Sequence, residues 1–344
     1  MKRFVKIYTY WLLGILLFTG CDDYLKEDSG DLLIPGKVEE FLPMLYREGF
    51  PRNFNDEVAW LYLMTDDVEM GQLELDPEDE ANDTRDKNSS DAFNVGEGEE
   101  PYKWEREIKS YADNFWERRY GNILACNLVI DALPEMEYVE ADSGNYNFLA
   151  AQAYALRAYN YWCLVNSYAL PWSKENLDKP GVIIRMEPQI NISPRGRSSI
   201  REVYDLINED IEKAEKYINI ATFDGNIHRL SEPAILLLAS RIALFQENWD
   251  EVIRTGKLFL AQNSVILNLN DQDTTLFGTE KGLSNKIFTM MDGTINKEVV
   301  FTFGTQSYSP YQYLSTTGAL YGLGFRPSHS TDESLIRSYE EGDL

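Results

Sequence analysis

Residues 150–171, AAQAYALRAYNYWCLVNSYALP, carry the clearest helical pattern of the chain. Alanines recur through the first half of this stretch, and leucines and aromatic residues follow at helical spacing. Pro171 cannot continue a helix, so it marks the expected end. The sequence therefore predicts one long helix over residues 146–168, whose small residues let a neighbouring helix pack closely.

Helical periodicity also lies on both sides of this stretch. Ser198 or Ser199 can cap the next helix, and Glu202 has the capping-box spacing to Ser199. Pro233 suits the first turn of a helix capped by Ser231. Further helices are predicted just after Pro35, over residues 103–133, from 199 to about 217, from 231 to about 245, and over 249–261.

The last two of these helices are joined by a short turn at residues 246–248 and resemble one tetratricopeptide unit. Short β-type runs at 182–184 and 298–303 add a little strand structure. We therefore predict a mainly all-α fold of tetratricopeptide-like helical pairs, with a loop-rich, partly irregular region and minor β. The residues predicted to meet within the last pair are Ala239, Ala243, Leu244, Val252, Ile253 and Gly256. The tryptophans predicted to be core residues are Trp60, Trp116, Trp162 and Trp249.

The N-terminus has the pattern of a secretory signal. A positively charged start (residues 2–6) precedes an apolar run (8–18) and two small residues before Cys21. The apolar run is about half of the roughly 20 residues that a spanning helix needs. Small residues before a cysteine resemble a lipobox, so we predict a signal peptide over 1–20, a lipid on Cys21 and a polar tether over 21–34. The alternative is an ordinary signal with an unmodified Cys21.

The remaining chain is strongly acidic. Without residues 1–20 it has 29 Lys+Arg against 57 Asp+Glu, a net charge of about −28. A field of that sign repels phosphate backbones and anionic lipid heads. Nucleic acid is therefore excluded as an expected partner, and the lipid is the expected membrane attachment.

Few residues are suited to metal or nucleophilic chemistry. Two cysteines remain beyond Cys21, Cys126 and Cys163, and two histidines, His228 and His329. Two cysteines do not make a disulfide framework, so buried thiols are favoured over a disulfide between them. We predict no cofactor and no imidazole-based metal site.

Five stretches follow one another in a specific order over about 230 residues. In that order the chain resembles the SusD/RagB family of surface glycan-binding lipoproteins of Bacteroidetes. The stretches are the lipobox with its acidic tether (21–25), WERRYGNILACNLVIDAL (116–133), AAQAYALRAYNYWCLVNSYALP (150–171), PGV (180–182) with SIREVYDLINEDIEKA (199–214), and AILLLASRIALFQENW (234–249).

The resemblance implies a helical scaffold at the cell surface, anchored by lipid in the outer membrane. It implies a SusC-like TonB-dependent transporter as partner, an oligosaccharide as ligand, and no catalysis. Residues 35–344 would form the SusD-like helical domain. Relatives commonly have an Asp-x-Arg motif after the last helix, and this chain stops at Asp343-Leu344, so the domain is expected to be truncated at its C-terminus.

A glycan site needs exposed aromatic rings with polar neighbours, because sugars stack their CH faces on rings and hydrogen-bond through their hydroxyls. Two clusters have this composition, and the alternative for each ring is packing against the scaffold. The first cluster is Tyr102, Trp104 and Tyr111, and the second is Tyr308, Tyr311, Tyr313 and Tyr321.

The very acidic stretch 66–101 allows two other readings. Its carboxylates could supply oxygen ligands to calcium, but the EF-hand pattern is absent and a solvated loop is favoured. Paired carboxylates could hydrolyse glycosides, but with 57 acids no pair stands out. The candidate calcium ligands are Asp76, Glu78, Asp79, Glu80 and Asp83.

Two rival functions stay open at this stage. Tetratricopeptide-like helical pairs also serve as peptide- or protein-binding surfaces, which makes a surface lipoprotein of that kind the alternative. A secreted glycoside hydrolase is the third hypothesis.

Overall fold

The computed structural model describes residues 36–51, 64, 66, 68–70, 100, 102–106, 115–188, 193–266, 298–302 and 325–327. Every helix and strand in these residues belongs to the unit Lys37–Leu344. The helices are α1 Val38–Glu48, α2 Phe115–Ala132, α3 Ser143–Tyr168, α4 Ile200–Ile218, α5 Glu232–Phe245 and α6 Trp249–Gln262. The strands are β1 Val68–Met70 and β2 Phe325–Pro327. The predicted mainly helical fold with minor β is confirmed.

The two strands form an antiparallel pair in which Val68 lies opposite Pro327 and Met70 opposite Phe325. Two short 3₁₀ turns, Leu133–Glu135 and Glu140–Asp142, connect α2 to α3. Consecutive helices from α2 onward pack against each other, which is the arrangement expected of stacked helical pairs.

The helix starts follow the capping signals in the sequence. Ser199 Oγ accepts a hydrogen bond from the Glu202 N–H (3.2 Å), and the Glu202 carboxylate accepts one from the Ser199 N–H (2.7 Å), which completes the predicted capping box. Ser231 Oγ accepts from the Ala234 N–H at the start of α5 (3.3 Å). Asn248 does the same for α6 through the Glu251 N–H (3.3 Å).

The predicted start of α2, at residue 103, was less accurate than the predicted starts of α4 and α5. The helix begins at Phe115 among the described residues, whereas Glu100 and Tyr102 are helical and lead into a turn at residues 103–104. Residues 107–114 lie outside the described part of the chain.

α3 is the centre of the packing, and its alanines explain why. Ala150, Ala151, Ala153, Ala155 and Ala158 are all fully buried. Small side chains let the neighbouring helices α2 and α4 approach closely, as the sequence predicted. One core lies at the N-terminal half of α3 against α1 and the end of α4, and a second lies at its C-terminal half against the start of α4 and the middle of α5.

The start of α3 requires a glycine. The Gly144 carbonyl accepts a hydrogen bond from the Thr222 N–H (3.1 Å), so the chain after α4 crosses directly over this residue. A Cβ at position 144 would collide with Thr222 Oγ1. The contact fixes the end of α4 on the start of α3.

Two β-type runs are not strands. Residues 182–184 are extended but form no strand: the Val182 carbonyl accepts a hydrogen bond from the Ser198 N–H (2.9 Å), and the Ile183 carbonyl accepts one from Tyr120 OH (2.7 Å). Residues 298–302 are irregular, and the Thr302 N–H donates to the Ile227 carbonyl (2.9 Å). The prediction was wrong in both places because these apolar residues pack singly against helices.

The α5–α6 pair forms as predicted, but its contact face differs. Leu244, Ile253 and Trp249 are exposed, and Thr255 is the buried residue of α6. Burial of Thr255 is possible because its hydroxyl donates to the Glu251 carbonyl within the same helix (2.8 Å). Trp116 and Trp162 are partly buried as predicted, Trp249 is a wrong prediction, and Trp60 lies outside the described residues.

Candidate functional site

Trp104 is the most exposed aromatic residue among those described, with 68% of its surface accessible. Its backbone has φ of 54°, the left-handed region that bulky residues rarely adopt. The turn is closed by the Glu105 N–H, which donates to the Glu100 carbonyl (3.0 Å). A strained residue that exposes a large ring is a reasonable candidate for ligand contact.

Tyr102 lies in the same turn and is half-buried. The structure therefore keeps these two members of the first predicted cluster close together on one turn, with Glu100 and Glu105 beside them as polar neighbours. The other predicted ligand residues, Tyr111, Tyr308, Tyr311, Tyr313 and Tyr321, lie outside the described residues, as does Cys21.

A buried ion pair at the centre of the helical stack was missed by the sequence reasoning. Arg157 of α3 donates from Nε and Nη2 to the two carboxylate oxygens of Asp210 in α4, each at 2.7 Å. Its Nη1 donates to Asn127 Oδ1 of α2 (2.9 Å). All three side chains are buried, so the network joins α2, α3 and α4 at one point.

The charges of Arg157 and Asp210 are desolvated, and this affects the pKa of both groups. Desolvation acts to lower the pKa of the Arg157 guanidinium, but the hydrogen bonds and charge of Asp210 outweigh it and raise that pKa. Burial raises the pKa of the Asp210 carboxyl, with Arg157 opposing the shift. A signal was present in the sequence, because Asp210 interrupts the apolar stripe of Ile207, Ile211 and Ala214.

The segment after α3 is held by side chains of the helices beneath it. Tyr161 OH donates to the Arg185 carbonyl (2.7 Å) and accepts from the Arg185 N–H (2.8 Å). Tyr120 OH donates to the Ile183 carbonyl (2.7 Å), and burial raises its pKa to about 12. Asn127 Nδ2 donates to the carbonyls of Arg185 (3.0 Å) and Glu187 (3.2 Å). This irregular segment is therefore fixed on the same frame as the ion pair.

The described residues offer little for metal or acid chemistry. No group of three or more His, Cys, Asp or Glu in them could hold a metal ion, and the predicted calcium ligands 76–83 lie outside them. Asp210 is the one fully buried carboxylate in the described part, and Arg157 occupies both of its oxygens.

The two cysteines are separate thiols. Cys126 is fully buried, and desolvation raises its pKa to about 12, whereas Cys163 is partly exposed. The favoured prediction of thiols is confirmed, with burial complete for Cys126 alone. None of the helices in the described ranges has the length and apolar character needed to cross a membrane.

Comparison with known families gives one clear match. The model of a SusD-like family, described as starch-binding and associating with the outer membrane, matches residues 50–244. That range includes α2, α3, α4 and nearly all of α5.

Individual relatives agree with this match. A SusD-like protein of Formosa agariphila is 27% identical over 158 residues, which are 45% of this chain and 27% of that protein. A putative sugar-binding protein of Bacteroides vulgatus has a similar fold, with a TM-score of 0.51, 18% identity, and coverage of 65% of this chain and 45% of the other. A SusD-like carbohydrate-binding protein of the same species has a TM-score of 0.50 at 19% identity, over 69% and 47% of the two chains.

The matched regions span about a quarter of the Formosa protein and less than half of each solved structure. At these identities the solved structures show the fold, which is the helical fold described above.

Proposed function

This chain belongs to the SusD-like family, and on that premise we propose that it is a glycan-binding protein of the bacterial cell surface that carries out no catalysis. It would capture oligosaccharides for a SusC-like TonB-dependent transporter in the outer membrane. The observation that carries the proposal is the family match over residues 50–244, whose description names starch binding and the outer membrane.

Relatives with the same fold support a carbohydrate ligand. The two solved proteins of Bacteroides vulgatus are described as sugar-binding and carbohydrate-binding. A neutral glycan of the starch type is therefore the first ligand to test.

The exposure of Trp104 in the structure supports the same proposal. Its exposed ring offers an apolar face to the CH face of a sugar, and Glu105, the next residue in the chain, is an exposed hydrogen-bond acceptor for hydroxyls. Tyr102 in the same turn adds a half-buried ring with a polar tip. Tyr111 and the second cluster stay predicted ligand residues outside the described part of the chain.

A binding role is also consistent with the acids of the described region. Glycoside hydrolysis uses two carboxyl groups placed on either side of a bond in the substrate. Asp210, the fully buried carboxylate of the described residues, is bound on both oxygens by Arg157 and is closed off from any ligand. The frame uses its buried acid for structure.

Affinity electrophoresis of the purified chain in gels containing soluble starch, mixed-linkage glucan or mannan tests the proposal. Calorimetry with maltoheptaose then measures affinity in solution. We expect the wild-type chain to be retarded in at least one neutral gel, and Trp104→Ala to be retarded several-fold less because a stacking face is lost.

Trp249→Ala is the matched control, since Trp249 is also an exposed tryptophan, with 58% of its surface accessible, but lies on α6. It should migrate like the wild type. A wild-type chain that no glycan retards, but that binds members of a peptide array, would contradict the proposal and favour the peptide-binding alternative.

The lipid anchor is a separate part of the proposal. Cys21→Ala should move the protein from the membrane fraction to the soluble fraction without changing its unfolding curve. Cys163→Ala, which removes a thiol of the helical region, should leave the distribution unchanged. Full retention of Cys21→Ala in membranes of cells lacking the transporter would contradict the anchor.

A further inference from the structure

Four tyrosines from three segments form a row of two stacked ring pairs along α3 and α4. Tyr138 lies in the connection between α2 and α3, Tyr146 and Tyr154 lie on α3, and Tyr217 lies on α4. We call this row the tyrosine strip. It is separate from the turn that carries Trp104.

The rings of the strip pair closely. The Tyr138 and Tyr146 rings are 4.3 Å apart between centroids, with 21° between their planes. The Tyr154 and Tyr217 rings are 5.9 Å apart and nearly parallel, at 4°. Aromatic rings favour offset stacking at these distances.

Each pair has one ring on α3, Tyr146 in the first pair and Tyr154 in the second. Burial raises the pKa of the Tyr146 hydroxyl, and the hydroxyls of Tyr217, Tyr138 and Tyr154 raise it further, in that order. Tyr146 and Tyr154 are separated by eight residues of α3, which is about 12 Å along the helix. The strip is therefore longer than a single sugar ring.

Three of the rings are held by the core and are partly accessible, and the fourth is exposed. Tyr146, Tyr154 and Tyr217 pack on the first hydrophobic core, while Tyr138 has 45% of its surface exposed. Tyr146 OH donates to the Leu133 carbonyl (3.1 Å), and the Arg157 guanidinium carbon lies 5.7 Å from the centre of the Tyr154 ring. The buried ion pair thus supports the strip directly, and rings that are already ordered lose little entropy when a ligand binds.

The charges around the strip favour an uncharged ligand. Glu135, Glu137 and Glu140 are exposed next to Tyr138 in sequence and give this end a negative field. At the other end Lys213 lies 5.3 Å from the Tyr154 ring, but its amino group donates to Glu209 (2.6 Å) and its charge is compensated. A glycan with carboxylate or sulfate groups would be repelled.

We propose that the tyrosine strip is a second glycan-binding surface that takes a neutral oligosaccharide chain across α3 and α4. The inference rests on the proposed function and extends it, because it names the ligand as uncharged and places a contact site on the helical frame itself. The accessible parts of the rings offer apolar surface for the sugars, and the tyrosine hydroxyls offer hydrogen bonds at the ring edges.

The test compares variants of the full chain in the same neutral gels and in a gel containing polygalacturonate. Tyr138→Ala/Tyr217→Ala should bind the neutral glycan roughly tenfold more weakly, which is about 1.4 kcal/mol. Tyr138→Phe/Tyr217→Phe keeps the ring faces and should bind within a few-fold of wild type. Circular dichroism and an unfolding curve confirm that each variant is folded.

The outcomes separate the two proposals. If Trp104→Ala weakens binding and Tyr138→Ala/Tyr217→Ala binds like wild type, the strip proposal is overturned and the proposed function stands. If the wild type binds no glycan, the proposed function itself fails. Equal retardation by polygalacturonate and by a neutral glycan would overturn the assignment of an uncharged ligand.

Discussion

α3 and α6 are both rich in large apolar residues, yet they have opposite environments. Fourteen of the 26 residues of α3 are buried, including Arg157 and Asn160. α6 buries Thr255 alone among its 14 residues, and it leaves Trp249, Ile253 and Leu260 exposed along one side.

The difference shows that apolar content alone does not place a helix in the core. α3 is enclosed because its alanines allow α2 and α4 to approach and because Arg157 finds partners on both of them. α6 packs mainly on α5, and its ion pair with α4, between Arg254 and Glu215, is partly exposed rather than buried. The region from α2 to α4 is therefore the rigid frame, and α6 belongs to its periphery.

Removing the buried charge partner is expected to have the largest effect. Asp210→Ala leaves Arg157 buried without its carboxylate, which should reduce the free energy of unfolding by about 3–5 kcal/mol. Chemical denaturation measures the change. Asp205→Ala is the control, because Asp205 is exposed on the same helix, and equal effects of the two variants would contradict the role of the pair.

Replacing an alanine by leucine should destabilise the protein more in α3 than in α6, with a smaller effect than the loss of Asp210. Ala153→Leu adds volume to a fully buried site and should cost about 1–3 kcal/mol through overpacking. Ala261→Leu, at an exposed site of α6, should be close to neutral. Similar melting temperatures for both variants would mean that α3 and α6 tolerate added side-chain volume equally, which would contradict the difference between them.

Truncating Trp249, whose large ring is exposed on α6, should change the stability of the protein little. Trp249→Ala is expected to alter the free energy of unfolding by no more than about 0.5 kcal/mol, because more than half of the ring is already in water. Thermal unfolding checks this. A loss comparable to that of Ala153→Leu would show that the face of α6 is covered in solution.

The smallest expected effect is a pH dependence of stability that comes from the first turn of α4. Hydrogen bonds from the Ser199 N–H and side chain hold the pKa of Glu202 below its ordinary value of 4.5. The stabilisation is present above that pH and is lost as the pH falls through the lower folded pKa. The stability gap between wild type and Glu202→Gln should therefore narrow in acid. α6 has Asn248 as its cap and should contribute no such dependence, and a gap that widens in acid would contradict the sign.

Much of the frame was predictable because its signals are local. Ser199 with Glu202, and Ser231 with Pro233, each define a helix start within a few residues. The mutual placement of Arg157 and Asp210 could not be predicted in this way, because they are 53 residues apart and meet only after α3 and α4 pack.

The candidate site also has features that the sequence predicted and features that only the structure shows. Trp104 was within a predicted aromatic cluster, but its strained backbone and its exposure are visible only in the structure. The tyrosine strip was not predicted, since it joins Tyr138, Tyr146, Tyr154 and Tyr217 from separate segments. Trp249 failed as a core prediction because helical periodicity does not show which face of a helix meets its neighbour.

Hydrogen–deuterium exchange of the full chain with and without maltoheptaose tests the central claim most directly, namely that a rigid frame from α2 to α4 presents aromatic rings to a glycan. We predict slow exchange in α3 in both states, faster exchange in α6 in both states, and new protection on glycan addition at residues 102–106 and 138–146. Equal exchange in α3 and α6, or glycan protection confined to α6, would contradict the account.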